Sequence, residues 1–246
     1  PPAIIYSIMQ VALFVTCLTD QFFAEAGVAA VRLLRHLGCT VDFPEGQTCC
    51  GQPAYNAGYW AEARQVATHT LEVLEGAEYV VLPSGSCTTM LRAFYPELYR
   101  DHPKMFARAL ALSQKTYELS EFIVKVLGKS HLGSGLTGKR IAYHHGCHAL
   151  RELGLKQEPL TLLRNAGAEV VDWAAAEECC GFGGLFSVKL PEVALGMADR
   201  KLATLPPAGQ VDLLTSTDGG CMLHLMGRVQ NQNLNLPVRP LASVLW

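Results

Sequence analysis

The chain has 246 residues, half of them apolar, and a net charge of -2 at neutral pH. That length can bury one large core or two smaller ones without disulfide staples. No basic run points to nucleic acid, and no apolar stretch reaches the roughly 20 residues needed to span a bilayer.

The opening stretch Pro1 to Gln10 lacks a basic n-region and a small-residue cleavage site, so it does not read as a secretory signal. Residues 1–8 read as an appended leader, with Met9 as the natural start and the cytoplasm as the expected location. A buried strand is predicted over Val11 to Val15, then a helix from Ala24 to Leu37 that stops at Gly38. A short strand follows at Thr40 to Phe43, a helix at Tyr59 to Leu74, a strand at Tyr79 to Leu82 and a short helix at Thr88 to Phe94. Thr116 to Leu119 is a fourth strand, followed by a helix at Glu121 to Leu127.

The second half repeats this order. Strands are predicted at Arg140 to Tyr143, Glu169 to Asp172, Val211 to Thr215 and near Val238. Helices fall near Pro159 to Asn165, Pro191 to Thr204 and Met222 to Gln230, with one more at the end of the chain. Alternating strands and helices argue for a parallel sheet covered on both faces. The fold class is therefore α/β: two tandem, duplicated Rossmann-like halves, 9–127 and 139–246, joined by a Gly-rich linker at 128–138.

The duplication is sharpest in the cysteines. Cys17, Cys49, Cys50 and Cys87 are matched by Cys147, Cys179, Cys180 and Cys221, with 31 residues between the lone first cysteine and the vicinal pair in both copies. Glycine follows each pair, as Gly51 and Gly181. Leu33-Leu34-Arg35 recurs as Leu162-Leu163-Arg164, and Val41-Asp42-Phe43 as Val171-Asp172-Trp173. In this register every cysteine of the two sets lies just past a strand. Carboxyl ends of parallel strands share one edge, where ligands bind, so four thiols should converge at the edge of each sheet. Nine cysteines leave no closed disulfide framework, and clustered cytoplasmic cysteines more often hold metal or do redox chemistry.

Four thiolates per half suit structural zinc or an iron–sulfur cluster. A vicinal pair does not easily present both sulfurs to one tetrahedral ion, which favours a cluster. Cys39 stands outside the repeat and reads as a small buried residue. Trp60 and Trp173 read as packing residues. His144, His145 and His148 flank Cys147, where His148 is a candidate proton relay or hydrogen-bond partner of a cluster sulfur.

Cys-x31-Cys-Cys-Gly-x35-Cys in the first copy, and its match in the second, resembles the cysteine-rich CCG domain family. This family includes the cysteine-rich component of heterodisulfide reductase, the iron–sulfur component of glycolate oxidase and a lactate utilization group. Gln47-Thr48-Cys49-Cys50-Gly51-Gln52-Pro53, Pro83-Ser84-Gly85-Ser86-Cys87 and Cys179-Cys180-Gly181-Phe182-Gly183-Gly184 bring the chain nearest to the lactate group. That resemblance implies an iron–sulfur redox subunit of a complex oxidising L-lactate to pyruvate, with one [4Fe-4S]-type cluster per half on the eight cysteines. It also implies a ferredoxin-like iron–sulfur partner and a third subunit. A thiol–disulfide enzyme like heterodisulfide reductase and a zinc-stabilised scaffold are the alternatives. The reductase pattern ends each copy in Cys-x-x-Cys, whereas this chain has Met90 and His224 at the final position. Met90 is expected in the core, and His224 is a candidate ligand through its imidazole.

Overall fold

A computed structural model describes residues 9–207 and 209–246; the expected leader, residues 1–8, lies outside them. Two four-stranded parallel sheets form, one per half. The first contains β1 (Gln10–Leu13), β2 (Thr40–Asp42), β3 (Tyr79–Leu82) and β4 (Thr116–Glu118) in the order β2-β1-β3-β4. The second contains β5 (Arg140–Tyr143), β6 (Glu169–Val171), β7 (Leu213–Ser216) and β8 (Val238–Pro240) in the order β6-β5-β7-β8. Residues 128–139 hold no helix or strand.

Central strands are buried on both faces, which is why they read as continuous apolar runs. Alternation along β1 divides its side chains between layers: Val11 and Leu13 enter one core cluster, Ala12 and the following Phe14 another. The first cluster runs through both halves, from Val11, Leu33 and Phe122 to Ile141, Leu163 and Leu241. The helix at Ala24–His36 turns Ala26, Ala29, Ala30, Leu33 and Leu34 inward at helical spacing. Against it packs Leu241–Leu245, the last helix of the other half. Reciprocally, the turn at Leu119–Glu121, which continues as the π-helix Phe122–Val126, packs on the Gln157–Asn165 helix of the second half. Each half thus closes on the other.

One helix, Pro103–Gln114, has no counterpart in the second half and falls where the periodicity gives no element. Proline opens its first turn, where the missing N–H costs nothing, and Ala109 and Leu112 face the first-half cluster. Short helices at Cys17–Phe22, Gln52–Asn56, Cys147–Arg151 and Leu185–Lys189 also replace expected loops. Each is six residues or fewer, too short for a periodic signal.

The halves meet at the carboxyl edges of their sheets. Gly85 packs so close to the Cys147–Arg151 helix that a Cβ there would sit 2.4 Å from Ala149 Cβ. Thr89 Oγ1 donates to His148 O at 3.2 Å, and Lys125 pairs with Glu158 at 2.8 Å. Glu118, at the end of β4, is fully buried in this seam. One of its oxygens caps the next turn, accepting Ser120 N at 2.7 Å and Glu121 N at 3.2 Å, and the other accepts the Thr217 hydroxyl. Burial outweighs these donors and raises the carboxyl to about 7.

Lys201 is a second buried charge, and only the second half has it; Thr70 stands at the matching helical position in the first. Its ammonium donates to Ala175 O, to Glu178 O at 2.9 Å and more weakly to Ala176 O at 3.4 Å, and it lies 4.4 Å over the Trp173 ring. The strut pins the loop that leads into Cys179 and Cys180. Trp173 is therefore packed as expected, whereas Trp60 is 55% exposed and stacks on Tyr55.

Two outcomes are expected from thermal and denaturant unfolding. A carboxyl raised in the folded state holds a proton that the unfolded chain has lost, so its contribution to stability falls as pH rises from about 4.5 to about 7. Glu118→Gln should therefore gain on the parent by an amount that grows across this window to at most about 3 kcal/mol and is then constant. A difference independent of pH would refute the assignment. Lys201→Met keeps the apolar stem but strands the loop carbonyls, and should cost about 2–4 kcal/mol.

Candidate metal centre

The vicinal pairs sit where the chain leaves β2 and β6, and the residue after each pair makes the turn. Gly51 has φ 85° and Gly181 φ 90°, a left-handed conformation that residues with a Cβ adopt at a cost. At Gly181 the space is closed too, since a Cβ would lie 2.5 Å from Ala194 O. Both turns aim the glycine N–H back at the first sulfur of the pair, 3.4 Å from Cys49 Sγ and 3.4 Å from Cys179 Sγ. Phe182 N likewise points at Cys180 Sγ, 3.4 Å away.

The remaining cysteines lie in the first turn of helices at the sheet edges. Cys17 and Cys147 each occupy the first position of a helix. Thr16, just before Cys17, has φ 74°, a strained conformation for a β-branched residue that costs about 1–3 kcal/mol. Ser84 caps the Gly85–Thr89 helix and accepts from Cys87 N at 3.4 Å. Its counterpart in the second half is Asp218, three residues before Cys221. Asp218 reaches across the seam instead, accepting Ser86 N at 2.6 Å.

All nine cysteines are free thiols. Cys17 Sγ lies 3.7 Å from Cys49 Sγ, Cys50 Sγ 3.3 Å from Cys87 Sγ, and Cys180 Sγ 2.9 Å from Cys221 Sγ. Two separate edges were expected, one per sheet. The edges instead face each other, and all eight paired-set cysteines line one cavity of about 180 Å³. Ser86, His148, Phe182 and Asp218 complete its wall. Cys39 lies elsewhere in the core, as its place outside the repeat suggested.

Crowding makes the thiols unequal. Cys17 and then Cys50 hydrogen-bond to Cys49 and hold it down to about 3; Cys147 and then Cys180 do the same to Cys179, at about 2. The donors are pushed upward in return, Cys17 and Cys147 by the hydrogen bond they give and by burial. Despite the hydrogen bond from Cys180, burial raises Cys221. Asp218, also fully buried, is raised by desolvation against the donors from Ser86. Each half thus favours one thiolate before any cation is bound.

This donor set fits a soft metal group. Thiolates select zinc, copper(I) or iron–sulfur centres, and backbone N–H groups aimed at sulfur are what such centres use to spread negative charge. The eight cysteines would hold the group.

The histidines divide differently from expectation. His148 lines the cavity, with Nδ1 3.3 Å from the Glu152 carboxylate. His145 is buried beside Tyr143. His224 lies away from the cysteines: its Nε2 is 3.1 Å from Ala194 O, and it lines a separate cavity with Phe182 and Arg228. Met90 is fully buried in the first-half core. His144 is fully buried, has no hydrogen-bond partner on either ring nitrogen, and sits with Cys180 and Cys221. Burial and then the Lys201 charge hold it down to about 3, so the ring is neutral at pH 7. Spacing singled out neither Asp218 nor Lys201. The match of Asp218 to the helix-capping Ser84 was the one available signal for the first, and the second had none.

Comparison with known proteins agrees with this geometry. A family model described as "Cysteine-rich domain" (CCG) matches residues 11–92 and again 141–226, one match per half. Lactate utilization protein A of Bacillus velezensis is 47% identical over 238 residues, covering 96% of this chain and 99% of the relative. Proteins of the same name from a Geobacillus species and from Bacillus subtilis are 46% and 45% identical over the same shares of both chains. Two family matches centred on the two cysteine sets, with near full-length relatives, make the chain a member of the CCG cysteine-rich domain family, together with the lactate utilization A proteins.

Proposed function

We propose that the chain is the iron–sulfur redox subunit of a multi-subunit system that oxidises L-lactate to pyruvate. The cavity shared by two four-thiol sets carries this reading, and the lactate utilization relatives give it a substrate. Oxidation of lactate to pyruvate releases two electrons and two protons. The four thiols of each half would hold one cluster, which would supply a one-electron acceptor there, and a ferredoxin-like iron–sulfur protein is the expected partner.

The chain's own residues prepare the site. Gly51 and Gly181 present their N–H groups to sulfur, and the carbonyls held by Lys201 fix the loop before Cys179. Asp218 and His148 are on the cavity wall beside the thiols. Met90 in the core and His224 turned toward Ala194 O favour four thiols per half over the five-thiol pattern of disulfide reduction. No helix among the described residues is long and apolar enough to cross a membrane, which is compatible with the expected cytoplasmic place.

Anaerobically purified chain should be brown and carry about eight iron atoms with matching sulfide. Cys50→Ser with Cys180→Ser should abolish the colour and the lactate-dependent reduction of dye by the assembled system. A colourless chain holding stoichiometric zinc would overturn the proposal, as would full lactate activity in the double variant. Turnover of a disulfide in place of lactate would shift the reading to a thiol–disulfide enzyme.

A further inference from the structure

The two halves superpose in sequence around the lone cysteines, yet they differ at a position that faces the sulfurs. Phe14 stands three residues before Cys17, and His144 three residues before Cys147. Their backbones are held alike: Phe14 N donates to Val81 O at 3.0 Å, and His144 N to Thr215 O at 2.8 Å, each the neighbouring central strand. Phe14 packs in the apolar cluster that includes Cys50, Met90 and Tyr95. In the second half an imidazole fills the corresponding place.

That imidazole is anomalous as a packing residue. It is fully buried, and neither Nδ1 nor Nε2 has a hydrogen-bond partner. Burying an unpartnered polar atom is unfavourable, and phenylalanine in the first half shows that an apolar ring fits the fold. A ligating nitrogen, Cys180 Sγ and Cys221 Sγ all lie within 4.8 Å of one another, and all three residues are buried. A soft cation at these sulfurs would take the lone pair of one ring nitrogen and remove that half of the deficit.

We propose that His144, and not His224, is a nitrogen ligand of the metal centre in the second half. The two centres are then chemically unequal: thiolate alone in the first, thiolate and imidazole in the second. The imidazole then takes the place of one of the four second-half thiolates, which leaves this centre less negative, and the Lys201 ammonium beneath the same loop acts in the same direction. Histidine ligation raises the potential of iron–sulfur centres, so the second half is the electron-accepting end of the pair.

This inference rests on iron–sulfur binding, and the test separates the two. The full chain is reconstituted anaerobically with iron and sulfide, reduced, and examined by pulsed electron paramagnetic resonance with natural-abundance and 15N-histidine-labelled samples. A directly bound imidazole gives a strong nitrogen coupling that changes with the isotope. The coupling should be present in the parent, lost in His144→Phe, and kept in His224→Phe and His148→Gln. Iron-loaded parent without histidine coupling overturns this inference and leaves the proposed function standing. So does coupling that survives in His144→Phe, or that is lost in His224→Phe or His148→Gln, arms that decide the matter even if His144→Phe does not fold. A chain that takes up no iron overturns both.

Discussion

Contact between the carboxyl edges of the two sheets is the constraint on which the rest of the molecule depends. After its last strand each half has a helical turn that packs on the first long helix of the other, Leu241–Leu245 on Ala24–His36 and Leu119–Glu121 on Gln157–Asn165. This reciprocal closure sets Gly85 against Ala149 and brings Asp218 within 2.6 Å of Ser86 N. Because parallel strands deliver all their loops to one edge, joining two such edges puts eight thiols around one space. The seam is also where the fold tolerates unfavourable groups. Glu118, Asp218 and His144 are all buried at or beside it, and Thr16 holds a strained backbone there. Such concentrations of polar burial and strain mark functional sites.

Duplication supplied the frame, and divergence gave the two halves different side chains around their cysteines. Both keep the turn after the vicinal pair, with a glycine N–H directed at the first sulfur. The second half adds Lys201 under its cysteine loop and His144 behind its sulfurs, where the first has Thr70 and Phe14. The first half adds the Pro103–Gln114 helix, which thickens its outer layer. Positive charge and imidazole thus gather on one side of the cavity.

Much of this organisation was legible before any coordinates. Short apolar runs such as Tyr79–Leu82 and Ile141–Tyr143, alternating with helical patterns, give their placement as buried parallel strands. The helix Ala24–His36 announces itself by inward residues at helical spacing and a glycine stop. The Pro103–Gln114 helix does not, because its apolar residues are divided between core and solvent: Ala109 and Leu112 are buried, whereas Phe106 and Leu110 are exposed. Helices of six residues or fewer around the cysteines leave no period to detect. His224 was singled out because it fills the final place of a Cys-x-x-Cys pattern. Its helix turns the ring toward Ala194 O instead, since three residues along a helix from Cys221 is a neighbouring face but not the same direction.

The sequence by itself determined the chemistry of the eight thiols and their division into two equal sets, because spacing and residue type are local properties that survive without coordinates. It also determined the parallel α/β architecture, since the pattern of burial along each strand is written in consecutive residues. Only the tertiary structure decided that the two sets share one cavity, for that depends on helices exchanged between distant parts of the chain. Only the structure decided, too, which histidine meets the sulfurs. His144 does so because β5 ends beside β7 and carries the ring toward Cys180 and Cys221, a proximity no linear spacing encodes.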